Sequence, residues 1–252
     1  VNSDLTRSIP YSSYSMDFPG TDEEIQLTSN FVAAGEFTLS LWINPDNVVD
    51  NNFLGNGSAG SDWLQIKTAS QIKIKIASSA VIAFTESGGN NLTASAWNHI
   101  LIYRDSSNNV GAYVNGQTFG SAGSNTSTLT LSTIGRATGI FFEGNISNVA
   151  FWSSSLTEDQ VLTIYNGGVP NSLSSLSPVS WWSLAGDSYF NGNDFICPDL
   201  SSNSNNGTSS GMGGTELVGN GPGSTGNGTA TSMNIPANLQ GNAPNSTKNA
   251  FS

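Results

Sequence analysis

The most constraining feature of this sequence is a series of short segments in which apolar and polar residues alternate, separated by clusters of Gly, Asn, Asp and Ser. In residues 37–43 the apolar side chains fall at every second position, and residues 71–76 alternate isoleucine with glutamine or lysine. A period of two is typical of a strand with one buried and one solvated face. The pattern predicts strands at 37–43, 71–76, 80–85, 97–104, 110–114, 128–134, 146–152 and 179–184.

Turn and helix signals complete an all-β pattern. Asn115-Gly116 is a pair favoured in type I′ hairpins, because both residues tolerate positive φ. One helix is predicted over 157–165, where Thr157 and Gln160 have the spacing of a capping box and Gly167 follows at the C′ position. Many short strands, short turns and a single short helix predict an antiparallel sandwich or jelly roll.

Composition excludes several classes of partner. Charged residues make up 10% of the chain, against about 25% in a typical soluble domain. The net charge is −11, and an acidic surface repels phosphate backbones, so no nucleic acid partner is expected. No run of 18 apolar residues occurs, which predicts no membrane insertion. The N-terminus has neither an initiator Met nor the apolar run of a signal peptide, so we expect a removed leader or a trimmed chain.

Reactive side chains are scarce. One Cys and one His exclude an internal disulfide, a cysteine-rich metal site and a multi-histidine centre. His99 is interpreted as a packed strand histidine and Cys197 as a half-buried, unreactive thiol. Carboxylates do not recur at alternate strand positions, as a glycosidase pair would require; Asp22-Glu23-Glu24 is interpreted as a solvated turn, and Glu143 stands alone. The sequence therefore predicts no catalytic, cofactor-binding or metal-binding residue and no cofactor.

One segment contains the donor atoms that calcium prefers. Residues 199–207 place oxygen-bearing side chains at alternate positions, including Asp199, Asn203 and Asn205. The segment lacks a second carboxylate and a bidentate Glu. A polar turn built from Asx residues is therefore the favoured interpretation, and a calcium site is the alternative.

Carbohydrate binding would use exposed aromatic side chains beside amides or carboxylates. The candidate platforms are Trp42, Trp63, Phe141, Phe142, Trp152, Trp181 and Trp182. Most large aromatic side chains of a sandwich lie in its core, and the sequence leaves open which of these face solvent.

The order of the motifs resembles the laminin-G-like, concanavalin A-like lectin/glucanase family. The similar segments are 15–25 (SMDFPGTDEEI), 37–46 (FTLSLWINPD), 96–100 (AWNHI), 112–116 (AYVNG), 134–136 (IGR), 142–152 (FEGNISNVAFW) and 155–165 (SLTEDQVLTIY). Pro19 stands where the family has an Asp, and Ser147-Asn148 where it has an Asp-Glu pair. Both departures remove carboxylates, which weakens an inherited calcium or catalytic role.

This resemblance implies a fold and a division of the chain. The implied fold is a concanavalin A-like (laminin-G-like) antiparallel β-sandwich jelly roll with one short helix and long polar terminal arms. We expect an N-terminal arm at 1–15, the jelly-roll domain at 16–190 and a Gly/Ser/Asn-rich C-terminal arm at 191–252.

The last third resembles virion structural proteins of marine tailed phages, on residues 181–184 (WWSL) and 198–208 (PDLSSNSNNGT). That resemblance implies a non-enzymatic decoration or appendage protein of a virion surface, or of a similar extracellular assembly. Its expected partners are copies of itself, other virion or filament proteins and a cell-surface glycan. Residues 201–252 have too few apolar side chains to fold alone, so we expect them to contact neighbouring subunits; the alternative is that they wrap their own sandwich.

Two further functions stay open from the sequence. One is a secreted carbohydrate-binding module or adhesin, which would need a solvent-facing aromatic beside Asn or Asp. The other is a polysaccharide-degrading enzyme, which would need two carboxylates facing each other across a cleft.

Overall fold

A computed structural model of the chain describes residues 14–57, 62–77 and 79–223. Two antiparallel sheets of nine strands each face one another and enclose the main apolar core. One short helix and two 3₁₀ turns lie outside the sheets. This arrangement confirms the predicted all-β sandwich.

Twenty strands and one helix make up the regular structure of the described residues. The strands are β1 (Ser15–Pro19), β2 (Glu24–Ala33), β3 (Phe37–Pro45), β4 (Asn51–Gly55), β5 (Trp63–Thr68), β6 (Gln71–Lys75), β7 (Ile82–Thr85), β8 (Asn98–Arg104), β9 (Asn109–Val114), β10 (Gln117–Thr118), β11 (Gly123–Ser124), β12 (Leu129–Ile134), β13 (Arg136–Ala137), β14 (Ile140–Phe141), β15 (Glu143–Trp152), β16 (Ser180–Trp182), β17 (Tyr189–Phe190), β18 (Phe195–Cys197), β19 (Gly207–Ser210) and β20 (Leu217–Val218). The helix is α1 (Glu158–Tyr165), and the 3₁₀ turns are Asn166–Gly168 and Ser174–Leu176.

The strand order brings distant parts of the chain together. Sheet I has the order β10-β9-β8-β3-β15-β1-β20, with β11 paired to β9 and β16 paired to β15. Sheet II has the order β17-β18-β19-β2-β12-β4-β5-β6-β7. The short hairpin β13–β14 forms a separate pair.

Most strands with a clear period of two were predicted from the sequence, but β5, which alternates buried Leu64 and Ile66 with partly exposed residues, was not. In β3, the side chains of Phe37, Leu39 and Leu41 are fully buried in the core between the sheets. All eight predicted strands are present, with bounds that differ by a few residues. Strand β4 was not predicted, because all five of its residues are buried and its sequence therefore does not alternate. Strand β2 was missed because a register shift interrupts its pairing with β12.

The predicted helix and hairpin are confirmed. The Thr157 side chain accepts from the backbone N–H of Gln160, and the Gln160 side chain accepts from the backbone N–H of Thr157. Asn115 and Gly116 have φ values of 51° and 75°, as a type I′ turn requires. The helix ends at Tyr165 as predicted, with Asn166 as the C-cap at φ 44° and Gly167 following at φ 65°.

The helix covers part of the outer surface of sheet I. Val161 and Ile164 of α1 pack with Leu101, Ala150 and Trp152 of the sheet in a second apolar cluster. Among the helices of the described ranges, none combines the length and the hydropathy that a bilayer crossing needs.

The sandwich continues beyond residue 190, where the sequence predicted a C-terminal arm. Strands β18 and β19 extend sheet II, and β19 pairs with β2 through Gly207 and Leu27. Strand β20 extends sheet I by pairing with β1. Gly207 is required here, because a Cβ at this position would lie 2.5 Å from Cγ2 of Ile25. Residues up to 223 thus belong to the chain's own sandwich, while 1–13 and 224–252 of the predicted arms lie outside the described residues.

Candidate functional site

The outer surface of strands β5–β7 in sheet II is a candidate ligand surface, because polar and aromatic side chains project from it. Inward side chains such as Leu64, Ile66, Ile72 and Ile74 are fully buried, so the residues between them point outward. The outward residues, here called the open face, are Trp63, Gln65, Lys67, Gln71, Lys73, Lys75, Ala83 and Thr85.

Strand register sets the neighbours of the open face. Trp63 lies directly opposite Lys75, and Gln65 lies opposite Lys73. Directly opposed residues of antiparallel strands have Cβ atoms about 5 Å apart. The indole ring is half-buried and therefore presents part of its surface to solvent. An aromatic ring, an amide and two ammonium groups thus share one small area.

The hairpin β13–β14 borders this area on the β4 side. Gly55 is opposite Trp63, and a Cβ on Gly55 would lie 2.4 Å from the Cβ of Ala137. Asn52 supports the hairpin, because its Nδ2 donates to the carbonyl oxygen of Ala137 at 2.9 Å. The glycine therefore allows the hairpin to lie against β4 beside the tryptophan.

Positive charge is concentrated on the open face. The described residues include five Lys or Arg side chains, and three of them are Lys67, Lys73 and Lys75. Lys67 is paired, since its Nζ lies 2.5 Å from Oδ1 of Asp50. Within the described ranges, Lys73 and Lys75 have no carboxylate partner within 4.0 Å.

The aromatic candidates divide into core and surface residues. Five of the seven are buried: Trp42, Phe142, Trp152, Trp181 and Trp182. Trp63 and Phe141 are half-buried. The guanidinium of Arg136 lies over the ring of Phe141, 4.9 Å from its centroid, and so covers one face of that ring. Trp63 is therefore the candidate platform on the open face.

A cluster of carboxylates lies on the other sheet. Asp17 of β1 projects from the outer side of sheet I, opposite Asn145, whose Nδ2 donates to Oδ1 of Asp17 at 2.8 Å. The pKa of Asp17 is raised, first by burial and then by the nearby negative charges of Asp46 and Glu216. The sequence did not indicate this cluster, because its members come from separate strands and loops. No group of three or more His, Cys, Asp or Glu in the described part of the chain is arranged to hold a metal ion.

The segment considered for calcium is held by its own hydrogen bonds. Oδ1 of Asp199 accepts from the backbone N–H groups of Trp181 and Ser201, at 2.8 and 2.9 Å. Oδ2 accepts from the Ser201 hydroxyl and the Asn205 N–H, both at 2.9 Å. The Asn203 amide donates to the Val179 carbonyl at 2.7 Å. These contacts match the polar-turn interpretation and leave the Asp199 oxygens occupied.

Two shallow clefts flank this segment. One of about 300 Å³ lies between residues 28–32 and 203–205, and one of about 350 Å³ lies between residues 174–181 and 200–203. Both are lined by Ser, Asn and apolar side chains, without a carboxylate. Neither therefore offers the acid pair that glycoside hydrolysis needs.

Several polar groups noted in the sequence are structural. His99 is fully buried, and its Nε2 contacts the Ser40 hydroxyl at 2.8 Å. Cys197 is fully rather than half-buried, and burial raises the pKa of its thiol to about 12. Glu23 and Glu24, expected in a solvated turn, are buried: Glu23 accepts from the N–H of Thr21, and Glu24 pairs with Arg136 at 2.8 Å.

The fold is that of a lectin-like β-sandwich. Residues 19–162 match the Laminin_G_3 family of the concanavalin A-like lectin/glucanases superfamily. The chain belongs to this family, as the motif order indicated. Among curated protein sequences, none matches the chain.

Solved structures show the same fold. A candidate carbohydrate binding protein from Bacteroides ovatus is similar with a TM-score of 0.58 and 22% identity, over 79% of this chain and 58% of that protein. A SAP-like pentraxin from Limulus polyphemus is similar with a TM-score of 0.50 and 17% identity, over 60% of this chain and 81% of that one. This chain thus spans little more than half of the Bacteroides protein. These structures support the fold; they do not show the resemblance to phage virion proteins.

Proposed function

We propose that this chain is a non-enzymatic carbohydrate-binding domain of the lectin type and that it binds a glycan at the open face. The observation that carries the proposal is the position of Trp63, a partly exposed indole set among amide and ammonium groups. An indole can cover the apolar C–H surface of a sugar ring, while Gln65 and neighbouring polar groups bond its hydroxyls. Few convergent polar groups around an apolar platform are typical of small-ligand sites.

Family membership supports the same function. The family description names lectins and glucanases, and the similar Bacteroides structure is a candidate carbohydrate binding protein. The surface of this chain, rich in hydroxyl and amide groups, is compatible with a secreted or cell-surface location, which is part of the proposal.

The absence of enzymatic activity is also part of the proposal. The carboxylate cluster around Asp17 lies on sheet I, whereas Trp63 projects from the outer surface of sheet II. A sugar bound at Trp63 is therefore separated from these carboxylates by the thickness of the sandwich, where two stacked sheets are about 10 Å apart. Turnover of a polysaccharide that is lost in Asp17→Asn and retained in Trp63→Ala would overturn this part.

The test is a glycan-array screen of the full chain, followed by calorimetric titration of the ligands that it identifies. We expect Trp63→Ala to abolish measurable binding, because it removes the platform. Tyr189→Ala is the matched control: Tyr189 is 56% exposed and lies on β17, at the opposite edge of the same sheet. An array without signal, or binding that depends on Tyr189 and not on Trp63, would refute the open face as the site.

A second proposal retains the role in a virion surface or similar extracellular assembly. It is favoured by the composition of residues 224–252, which include one Lys, no acidic residue and few large apolar side chains. Such a segment binds best along a partner surface. The test compares the mass in solution of the full chain with that of a chain ending at Gly223. If the full chain forms oligomers and the shortened chain does not, this role is supported. If both chains are monomeric, the result argues against it.

A further inference from the structure

We propose that the glycan recognised at the open face is anionic, and that Lys73 and Lys75 bind its carboxylate or sulfate groups. This inference rests on the proposed function and names the class of ligand. It follows from a comparison of the positive side chains in the described part of the chain.

Each of the other described cations already has a partner. Arg104 is fully buried and donates to backbone carbonyl oxygens, among them those of Ala33 and Gly35. Arg136 pairs with Glu24 at 2.8 Å, and Lys67 pairs with Asp50 at 2.5 Å. Lys73 and Lys75 therefore remain as the unpaired cations of the described residues. They lie on one short strand of a chain whose net charge is −11.

The two ammonium groups lie close together on one side of the sheet. Residues two apart on a strand point the same way and are separated by about 7 Å. Like charges at this spacing repel each other. The chain has 18 acidic residues, yet none of those in the described ranges forms an ion pair with either lysine. An anion bound between the two lysines would remove that repulsion.

Protection of a sheet edge does not account for these lysines. Exposed edge strands often carry lysine to prevent pairing with other chains, but β6 lies between β5 and β7 and is not an edge. On the β7 side, Lys73 faces Ala83, which is small and exposed. The ammonium of Lys73 therefore has open space beside it.

The lysines and the ring platform form one surface. Lys75 is the cross-strand partner of Trp63, and Lys73 is the cross-strand partner of Gln65. A sugar ring on the indole would thus lie beside the ammonium group of Lys75. A uronic acid carboxylate or a sulfate on that ring could then contact this ammonium group. The second lysine would contact the next anionic group along the glycan.

The overall acidity of the chain determines how this binding depends on salt. Charges elsewhere on the surface repel an anionic polymer, but at 0.1 M salt the screening length is about 10 Å, so distant carboxylates act weakly. Direct contacts with the two lysines are less screened. Binding is therefore expected to persist at moderate ionic strength and to weaken at about 1 M salt, where the screening length is about 3 Å.

The experiment titrates the full chain with three probes: polygalacturonate for carboxylates, dextran sulfate for sulfates and neutral dextran. We expect binding to one or both anionic probes and none to dextran. Lys73→Gln/Lys75→Gln should weaken that binding at least about tenfold, because charge-assisted hydrogen bonds are lost. Lys67→Gln is the matched control, because Lys67 lies outside the proposed contacts with Trp63, Gln65, Lys73 and Lys75; a change of less than about twofold is expected, since Asp50 already neutralises Lys67.

The outcomes separate this inference from the proposed function. Trp63-dependent binding of a neutral glycan that Lys73→Gln/Lys75→Gln leaves unchanged would overturn the anionic assignment and keep the carbohydrate-binding function. If Lys67→Gln reduces binding of an anionic probe as strongly as the double variant does, the binding reflects general charge attraction. That result would also overturn the assignment of Lys73 and Lys75 as the anion-binding residues. If no glycan of any charge binds, both proposals fail.

Discussion

The Nε2 atom of His99 lies 2.8 Å from the Oγ of Ser40, and both side chains are buried on the outer side of sheet I. The rings of Trp42 and Tyr165 pack against the imidazole, with centroids 5.0 and 6.0 Å away. The other ring nitrogen, Nδ1, is buried without a hydrogen-bond partner among the described residues. Burial without a countercharge lowers the pKa of His99 to about 3.

The first prediction concerns the pH dependence of stability. Unfolded histidine has a pKa of about 6.5, so between pH 6.5 and about 3 the unfolded state binds a proton that the folded state does not. The contribution of His99 to the free energy of unfolding should therefore fall by about 1.4 kcal/mol per pH unit as the pH drops through this range. It should be constant above about pH 7.

Urea unfolding of the wild type and of His99→Gln at three pH values, about 7, 5.5 and 4.5, measures this effect. A glutamine side chain cannot titrate, so the variant should lose less stability on acidification than the wild type does. Equal pH slopes for the two proteins would contradict the prediction.

The second prediction concerns Arg104, whose guanidinium is fully buried over the ring of Phe37 at 5.1 Å. Its Nε donates to the Gly35 carbonyl at 2.6 Å, and Nη1 donates to the Ser127 carbonyl at 2.5 Å. A lysine keeps the charge but cannot reproduce the planar set of donors. We expect Arg104→Lys to destabilise the fold by about 2–4 kcal/mol. Arg136→Lys is the control, because this guanidinium is partly exposed and forms one ion pair, with Glu24. Equal losses of stability for the two variants in chemical denaturation would refute the argument.

The third prediction concerns Asp199 and calcium. Both carboxylate oxygens of Asp199 accept hydrogen bonds from N–H or O–H donors. Asp199→Asn replaces one of these oxygens with an NH₂ group, which cannot accept from those donors. We expect a loss of about 2 kcal/mol. Millimolar CaCl₂ should leave the melting temperature of the wild type unchanged. A calcium-induced rise in melting temperature that disappears in Asp199→Asn would restore the calcium interpretation.

The fourth prediction concerns the thiol of Cys197, which is fully buried and has a pKa raised to about 12, chiefly by burial. At about pH 8 roughly one thiol in 10⁴ would be ionised, and the thiolate is the reactive form. We expect the folded chain to react with Ellman's reagent at least about a hundred times more slowly than the chain in guanidinium chloride. Comparable rates with and without denaturant would show that the thiol is accessible.

Although β5 alternates and was missed, local patterns predicted most of the strands that have one solvated face. The alternation in residues 71–76 is an example, since it placed Lys73 and Lys75 outside and the isoleucines inside. Strand β4 escaped prediction because it is buried throughout. The segment 195–218 escaped because its strands are only two to four residues long, and their stability depends on pairing with β1 and β2, far away in the chain.

For the candidate site, too, some properties could be predicted from the sequence and others depend on the tertiary structure. That Trp63 is aromatic and that two lysines share a strand face could be read from the sequence. That Trp63 faces Lys75 depends on the register between β5 and β6. Likewise, the burial of five other aromatic candidates depends on packing between the sheets and α1.

By itself, the amino-acid sequence determined the all-β class, the capped helix and the Asn115-Gly116 hairpin, because each depends on periodicity or on contacts between near neighbours; the family followed from the resemblance of its ordered motifs. Only the tertiary structure decided which tryptophans reach solvent, which cations lack partners among the described residues and how far the sandwich extends past residue 190. Those properties arise from pairing and packing between residues that are far apart in the chain, and local sequence does not specify the register of such contacts.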